Sequence, residues 1–489
     1  MIMLTSLKPK SLWTIFNQIC QIPHPSHHEQ MITKYLVDFA QNHNIECHLD
    51  KVGNILLRKG ATEGLEHLPS IALQAHMDMV PQKNEDTQHD FLIDPIKPYI
   101  DGEWVKAKGT TLGADNGIGL ASALAVLIDP EVKHGPIEVL ITVSEETGMV
   151  GAFGLQPNWL NSHYLINTDS EDEGEIFTGC AGGVDFKSTF AINYGLIPEV
   201  HDTFLRLSLK GLKGGHSGCD IHLGRGNAIK LLVRFLVEYA QDIPFRLADL
   251  SGGTLRNAIP REAFAEISLN SQDLAKFESI IKQYQDILKS ELQRVEPNIH
   301  FDSVKISQDK LKRVLTTEHQ QKILNWLNCA PNGVIRMCDD MPTVVETSLN
   351  LGIVEIKENQ ISAYFLIRSQ VDTAKDAVVA TLISHSQLTN ANYEISDGYS
   401  GWTPNLNSQL LKLSEEKYDE LFSKKAKIMI IHAGLECGLF TKYYPNMDMI
   451  SIGPTIVSPH SPDEKVNIKS VEKYWLLLLA ILKSADKLK

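Results

Sequence analysis

The sequence predicts an α/β protein whose mixed, largely parallel sheet is covered by helices, with an α+β domain inserted into it. Three observations carry that expectation. Over residues 1–186, short apolar runs alternate with stretches of helical periodicity. After about residue 186, strands of alternating pattern dominate, as in a sheet solvated on one face. From about residue 396, the short apolar runs IMIIHAG and MISIGP return between polar loops. A chain of 489 residues also exceeds what one core usually serves. The expected organisation is one domain in two segments, 1–186 and 396–489, interrupted by a second domain over 187–395.

The first helix is expected to begin at Ser26, where Ser26-His27-His28-Glu29 matches a capping box ahead of ITKYLVDFAQ. His24, His27 and His28 then take surface or structural places around the cap. NILLRKG and SIALQAHMDMV read as strands, and GIGLASALAVLID (117–129) as an apolar helix able to pack closely on them. IEVLITVSEE and HYLINTD are two further buried strands. In the insertion, TFLRLSLKGLKGGHSG is a strand entering a Gly-rich turn, and NAIKLLVRFLVEYAQ is one long amphipathic helix. ISLN, a charged helix near 271–295, VKISQ, VVETSLNLGIVEIK, ISAYFLIRSQ, the helix KDAVVATLISHSQ and the strand NYEISDGYSG complete it.

Composition narrows the function. A formal charge of −14 leaves no basic excess to neutralise phosphates, so nucleic acid is an unsuitable partner, and anionic membranes exert little pull. The longest apolar run, YWLLLLAIL at 474–482, is too short to span a bilayer and reads as a buried terminal helix. The opening residues lack the apolar core and cleavage site of a signal peptide. Seven cysteines, odd in number and without a CxxC pair, argue against a disulfide framework or zinc ribbon and suit a reducing cytoplasm. Cys180 and Cys219 lie near motifs but read as small packing residues rather than nucleophiles.

Five imidazole and carboxylate side chains sit in unusual motifs: His76 in ALQAHMDMV, Asp115 in TTLGADNGIG, Glu146 in ITVSEETG, Asp169 in LINTDSEDEGE and His460 in SPHSPDE. Two imidazoles and three carboxylates form the ligand set of a paired divalent-metal centre. Four of them are expected just past the C-terminal ends of strands, where such sheets gather ligands. Asp78, two residues beyond His76, is placed to accept the second ring N–H. Alone, that pair would read as an exposed His–Asp turn. Gly113 and Gly117 let the chain bend around Asp115, whose two oxygens suit a bridge between cations. Glu145 and Glu146 point differently, so one can bind a cation while the other reaches water. Such crowding of like charge is itself a reason to expect cations. Glu171, Asp172, Glu173 and Glu175 read as a solvated acidic loop. His432 and His216 are the rivals of His460.

ALQAHMDMVPQK, GTTLGADNGIG, VSEETGMVGA, NTDSEDEGEIFTGCAGG, KGLKGGHSG and IHAGLECG together resemble the M20 family of metallopeptidases, in particular its branch acting on aminoacyl-histidine dipeptides. The resemblance implies a zinc-peptidase catalytic domain with an inserted lid. It implies two divalent ions, zinc in the first place, with manganese or cobalt also suited to the donors. Asp115 would bridge them, His76 and Asp169 would hold one, and Glu146 and His460 the other. Asp78 would orient His76, Glu145 would be the general base, and the Asp115–Asn116 peptide would be cis. In the insertion, His216 would reach the substrate carbonyl, Asn257 would hold the substrate, Arg368 would pair with a C-terminal carboxylate, and Gly434 would lie against the substrate backbone. His432 becomes a core residue, and His222 a structural one. The implied activity is hydrolysis of Xaa-His and related dipeptides, including β-alanyl-histidine, by a cytoplasmic homodimer. An N-acyl-amino-acid deacylase and a non-catalytic peptide-binding homologue are the competing readings; an intact Glu145 argues against the second.

Overall fold

The computed structural model describes residues 3–339 and 341–488. They form two compact units. The first comprises residues 1–180, 402–430 and 435–489, and the second residues 181–401 and 431–434. The crossing near 180 precedes the composition break at 186 because the strand Gly182–Ala191 already belongs to the second unit's sheet.

The first unit is built on an eight-stranded mixed sheet. Its order is Glu46–Leu49, Ile55–Lys59, Ile137–Thr142, Ile71–His76, Tyr164–Asn167, Asp448–Ser451, Glu175–Cys180, Lys427–Ile431. The four central strands run parallel, with Leu73 paired to Val139 on one side and to Ile166 on the other. Three of them, Ile71–His76, Ile137–Thr142 and Tyr164–Asn167, are buried at every residue, which their continuous apolar sequences require of strands covered on both faces. The helix Ala114–Ile128 is buried from Ala114 to Leu127. Its small residues permit this: a Cβ at Gly119 would lie 2.5 Å from the Thr168 carbonyl oxygen. The terminal helix Ile468–Lys483 packs on the helix Gln409–Phe422, and Trp475, Leu478, Leu410 and Leu411 of the two lie in the same core.

One local expectation is corrected. The helix expected from Ser26 begins at Gln30, because the side chains of Ser26 and Glu29 are engaged elsewhere. His24 takes a structural place: it is buried, with its Nδ1 against the Ile22 carbonyl.

The second unit carries a nine-stranded antiparallel sheet. Its order is His300–Lys305, Thr203–Lys210, Ala263–Leu269, Phe245–Gly252, Val345–Lys357, Gln360–Ser369, Gly182–Ala191, Asn392–Ile395, with Gly333–Met337 paired onto Val345–Lys357. Alternating burial along Gly182–Ala191 and Phe245–Gly252 marks a sheet with one face in a core. Helices Leu274–Leu292, Thr317–Cys329 and Asp372–Leu388 contribute to that core, which includes an edge-packed aromatic group of Phe235, Phe277, Tyr284 and Phe301. The helix expected over NAIKLLVRFLVEYAQ is Ala228–Arg234 followed by a π-turn, Phe235–Tyr239. Among the described residues, no helix is long and apolar enough to cross a membrane.

Candidate metal centre

Three adjacent parallel strands deliver His76, the Glu145–Glu146 pair and Asp169 to one edge of the first unit's sheet. Asp115 arrives differently. It lies in a non-helical turn (φ −84°, ψ 107°) at the head of Ala114–Ile128, so three of the expected ligands, not four, follow strands of the main sheet. Gly113 precedes it with φ 71°, a left-handed conformation that glycine adopts without steric cost. The Asp115–Asn116 peptide is cis. His460 comes from the loop between Ile456–Val457 and Lys465–Asn467 and also has positive φ, 58°.

The side chains converge in two groups around one carboxylate. His76 Nε2 lies 3.2 Å from Asp115 Oδ1 and 3.3 Å from Asp169 Oδ1. His460 Nε2 lies 3.0 Å from Asp115 Oδ2 and 3.0 Å from Glu146 Oε2. One ligand atom each of His76, Asp115 and Glu146 lie within 4.8 Å of one another. His76 Nδ1 donates to the main-chain carbonyl of Asp78 at 3.0 Å, so a neutral ring turns its Nε2 lone pair toward carboxylate oxygens.

This arrangement fits divalent cations. Glu146 Oε1 and Asp169 Oδ1 are buried and take part in no hydrogen bond. Converging acceptors without hydrogens between them are costly unless a cation intervenes. The 3.0–3.3 Å donor separations approach the edges, about 3.3–3.6 Å, of a tetrahedron with bonds of about 2.0–2.2 Å.

The electrostatics show how strongly these carboxylates demand positive charge, whether it comes from a cation or from protonated imidazoles. Burial pushes Asp169 up to about 7, with Asp115 and Glu146 adding to the rise against the opposing pull of His76. Burial likewise raises Glu145 well above the usual carboxylate range, with Asp169, Glu436 and Glu146 overcoming the opposing effect of His76. Burial also raises Glu146. Burial works against a charged His76, but Asp169, Asp115 and Asp78 outweigh it and hold the ring well above its ordinary value. Hydrogen bonding to Asp115 and Glu146 lifts His460 to about 11. Asp115 is lowered: burial opposes its charge, and both imidazoles overcome that. The acidic loop expected to be solvated is largely engaged. Glu171 is half-buried and pushed up to about 8 by burial and Asp115, while Glu173 accepts hydrogen bonds from Tyr418 and Lys473, and Glu175 one from Lys427.

The insertion's candidates form a cluster within the second unit. His216 Nδ1 accepts the N–H groups of Gly218 and Cys219 at 3.2 and 3.0 Å, which assigns the hydrogen of a neutral ring to Nε2. Arg368 is 5% exposed and places Nη2 3.3 Å from that nitrogen. Its Nη1 donates to the Tyr399 hydroxyl at 3.1 Å. Two donors therefore face one another, an arrangement that favours an anionic oxygen between them. Burial, then Arg368, lowers His216 to about 4, leaving it neutral at pH 7. Gly434 packs on Tyr399, where a Cβ would meet the ring at 3.1 Å. The Asn257 carbonyl accepts the Ser217 N–H at 2.9 Å, and its side chain is exposed. His432 is buried, with Nε2 2.7 Å from Ser348 Oγ. His222 is exposed.

Comparison with known proteins places this geometry in a lineage. A family model described as Peptidase family M20/M25/M40 matches residues 72–484. The chain belongs to peptidase family M20. This M20 chain is 55% identical over 480 residues to the cytosol non-specific dipeptidase of Escherichia coli (strain K12), covering 98% of each. It is 50% identical to the crystallised aminoacylhistidine dipeptidase of Vibrio alginolyticus, with a TM-score of 0.90 and 98% of each chain covered. The aminopeptidase PepT of Bacillus cereus, 15% identical with a TM-score of 0.57, shares the fold. The M20 family is one of dimetal-dependent peptidases, and the protein is a peptide hydrolase.

Several residues of the M20 site escaped sequence reasoning. Asp78 does more than face His76: its carboxylate accepts the N–H groups of Glu145 and Glu146 at 2.9 and 3.3 Å and the Ser26 hydroxyl at 2.8 Å. Glu29 accepts both the N–H and the hydroxyl of Ser144, the residue before Glu145. Glu436 is buried beside the centre, accepting from Gln74 at 2.5 Å and Thr142 at 2.8 Å, and burial pushes it up to about 7. Glu464 accepts four main-chain N–H groups around Asp115. All four were visible as letters: Ser26 and Glu29 in the capping-box match, Glu436 in IHAGLECG, and Glu464 in HSPDE.

Proposed function

We propose that this M20 peptidase is a cytoplasmic metallodipeptidase that hydrolyses Xaa-His and related dipeptides, β-alanyl-histidine among them. One observation carries the catalytic part: the two oxygens of Asp115 face two separate groups, His76 with Asp169 and His460 with Glu146. The dipeptide class is supported by full-length likeness to a named cytosol non-specific dipeptidase and a named aminoacylhistidine dipeptidase.

In this reading His76 and Asp169 hold one zinc ion, His460 and Glu146 hold the other, and Asp115 is shared. Manganese and cobalt also suit these donors. Bound cations of this kind supply Lewis acidity and acidify water. Glu145 removes the proton from the attacking water and passes it to the departing amine. Its burial makes it a stronger base than a solvated carboxylate. Asp78 fixes the His76 ring and, through two N–H groups, the direction of Glu145 and Glu146. His216 donates its Nε2–H to the oxyanion of the tetrahedral intermediate. Arg368 takes the C-terminal carboxylate, Asn257 holds the substrate, and Gly434 lies along its backbone. A homodimer belongs to the same reading and is checked by analytical centrifugation.

The deciding experiment is a hydrolysis panel of free and N-acetylated dipeptides on metal-stripped and metal-restored enzyme. The reading expects activity only after restoration and only with free-amine dipeptides. Comparable hydrolysis of the acetylated series would make the protein a deacylase.

A further inference from the structure

We propose that Glu464 is a positioning residue for the metal centre: its carboxylate ties the turn that carries Asp115 to the loop that carries His460. The inference rests on the dinuclear reading above.

Glu464 is 2% exposed. Its Oε2 accepts the N–H groups of Leu112 and Gly113 at 2.7 and 3.0 Å. Its Oε1 accepts those of Ala114 and Asp115 at 2.8 and 3.2 Å. The segment Ala114–Ile128 is regular helix only beyond Asn116: Asp115 (φ −84°, ψ 107°) and Asn116 (φ −107°, ψ 27°) are non-helical, so these four N–H groups belong to an irregular turn. Main-chain N–H groups of a buried turn need acceptors, and a buried carboxylate offers them two oxygens. Glu464 thus holds this turn from 350 residues away in sequence.

The placement gives this contact a second consequence. Glu464 stands four positions after His460 in one short loop, and Asp115 is itself one of the four donors. Holding the turn therefore also sets the distance at which His460 Nε2 meets Asp115 Oδ2, 3.0 Å. Two oxygens are needed. An amide at this position keeps one acceptor and turns an N–H₂ toward two of the four donors, which forces the turn and the loop apart. Glu464→Asp keeps both oxygens on a stem shorter by one methylene.

The test uses the full metal-stripped chain titrated with cobalt(II), read by visible absorption and by bound cobalt per chain. Native protein is expected to bind two. Glu464→Gln is expected to bind cobalt about 10- to 100-fold more weakly, with an altered absorption band, the range usual for groups that orient metal ligands. Glu464→Asp is expected to recover part of that loss. Glu138→Gln is the control for general destabilisation. Glu138 is a buried carboxylate of the same unit that accepts the N–H groups of Asn161 and Ser162, and its variant should keep native affinity and band. Native affinity and spectrum in Glu464→Gln, whatever its melting temperature, overturn the proposal, as does equal weakening in Glu138→Gln. If Glu464→Gln does not fold, the comparison passes to Glu464→Asp, where native affinity overturns it. Should native protein bind a single cobalt, the dinuclear reading fails, and the role of Glu464 is read from that one affinity.

Discussion

His460 Nε2 stands 3.0 Å from Asp115 Oδ2, joining positions 345 apart in the chain, while Asp115 Oδ1 faces His76 Nε2 at 3.2 Å. A carboxylate that looks in two directions, at one imidazole each way, is what a pair of cations requires of a shared ligand. The centre's division into halves is thus a property of one side chain.

Crystals grown with zinc or manganese are expected to show two ions about 3–4 Å apart, with Asp115 between them. Anomalous scattering locates them directly. A single protein-bound ion, or an Asp115 remote from both, removes the dinuclear reading.

Glu145 and Glu146 should separate cleanly on mutation. Glu145→Gln is expected to lower kcat by about 100-fold or more while leaving cation affinity near native. Glu146→Gln should weaken one cation, because its Oε2 is the partner of His460. Calorimetric titration of both variants checks this, and equal loss of metal would reverse the two assignments.

Arg368 should account for selectivity toward a free C-terminus. Arg368→Ala is expected to lose about 2–4 kcal/mol on free-acid dipeptides, about 30- to 1000-fold in kcat/KM. Native enzyme should hydrolyse the amidated dipeptide poorly, and the variant should scarcely distinguish amide from acid. A variant as discriminating as its parent would make the arginine a packing residue.

His216 gives a pH dependence of stability with a definite sign. Its folded value, about 4, is depressed by burial and then by Arg368 from the 6.5 of an unperturbed histidine. Between pH 6.5 and 4 the unfolded chain binds a proton that the folded chain does not, so stability falls as pH falls through that window. Urea unfolding of native protein and His216→Gln at pH 7, 5.5 and 4.5 isolates this contribution. The difference between them should move in the variant's favour toward low pH; a constant difference would contradict the cause assigned here.

Sequence was most informative where function and local pattern coincide. His76, Asp169 and the Glu145–Glu146 pair follow continuous apolar runs, and a fully buried strand leaves its chemistry at its end. It was less informative where a side chain has two plausible partners. Ser26 and Glu29 carry the local spacing of a helix cap, yet Ser26 bonds Asp78 and Glu29 bonds Ser144, 52 and 115 positions away. Local pattern cannot weigh a nearby N–H against a distant one brought close by packing. Glu464 and Glu436 were hidden for the same reason. Each sits inside a recognised motif, but its partners come from elsewhere in the unit: main-chain N–H groups for Glu464, the Gln74 amide and the Thr142 hydroxyl for Glu436. The break at 186 shows the same limit, since composition changes a few residues after the strand Gly182–Ala191 has begun.

The late position of His460 gives the protein a natural order of activation during synthesis. Four of the five proposed ligands are translated by position 169, and the fifth follows only at 460. At about 5–20 residues per second, the gap lasts about 15–60 s. Through that interval the nascent chain carries an acidic cluster without its second imidazole, or the loop that secures Asp115. On the proposed ligand assignment, hydrolytic competence arises only after the whole intervening unit has been translated.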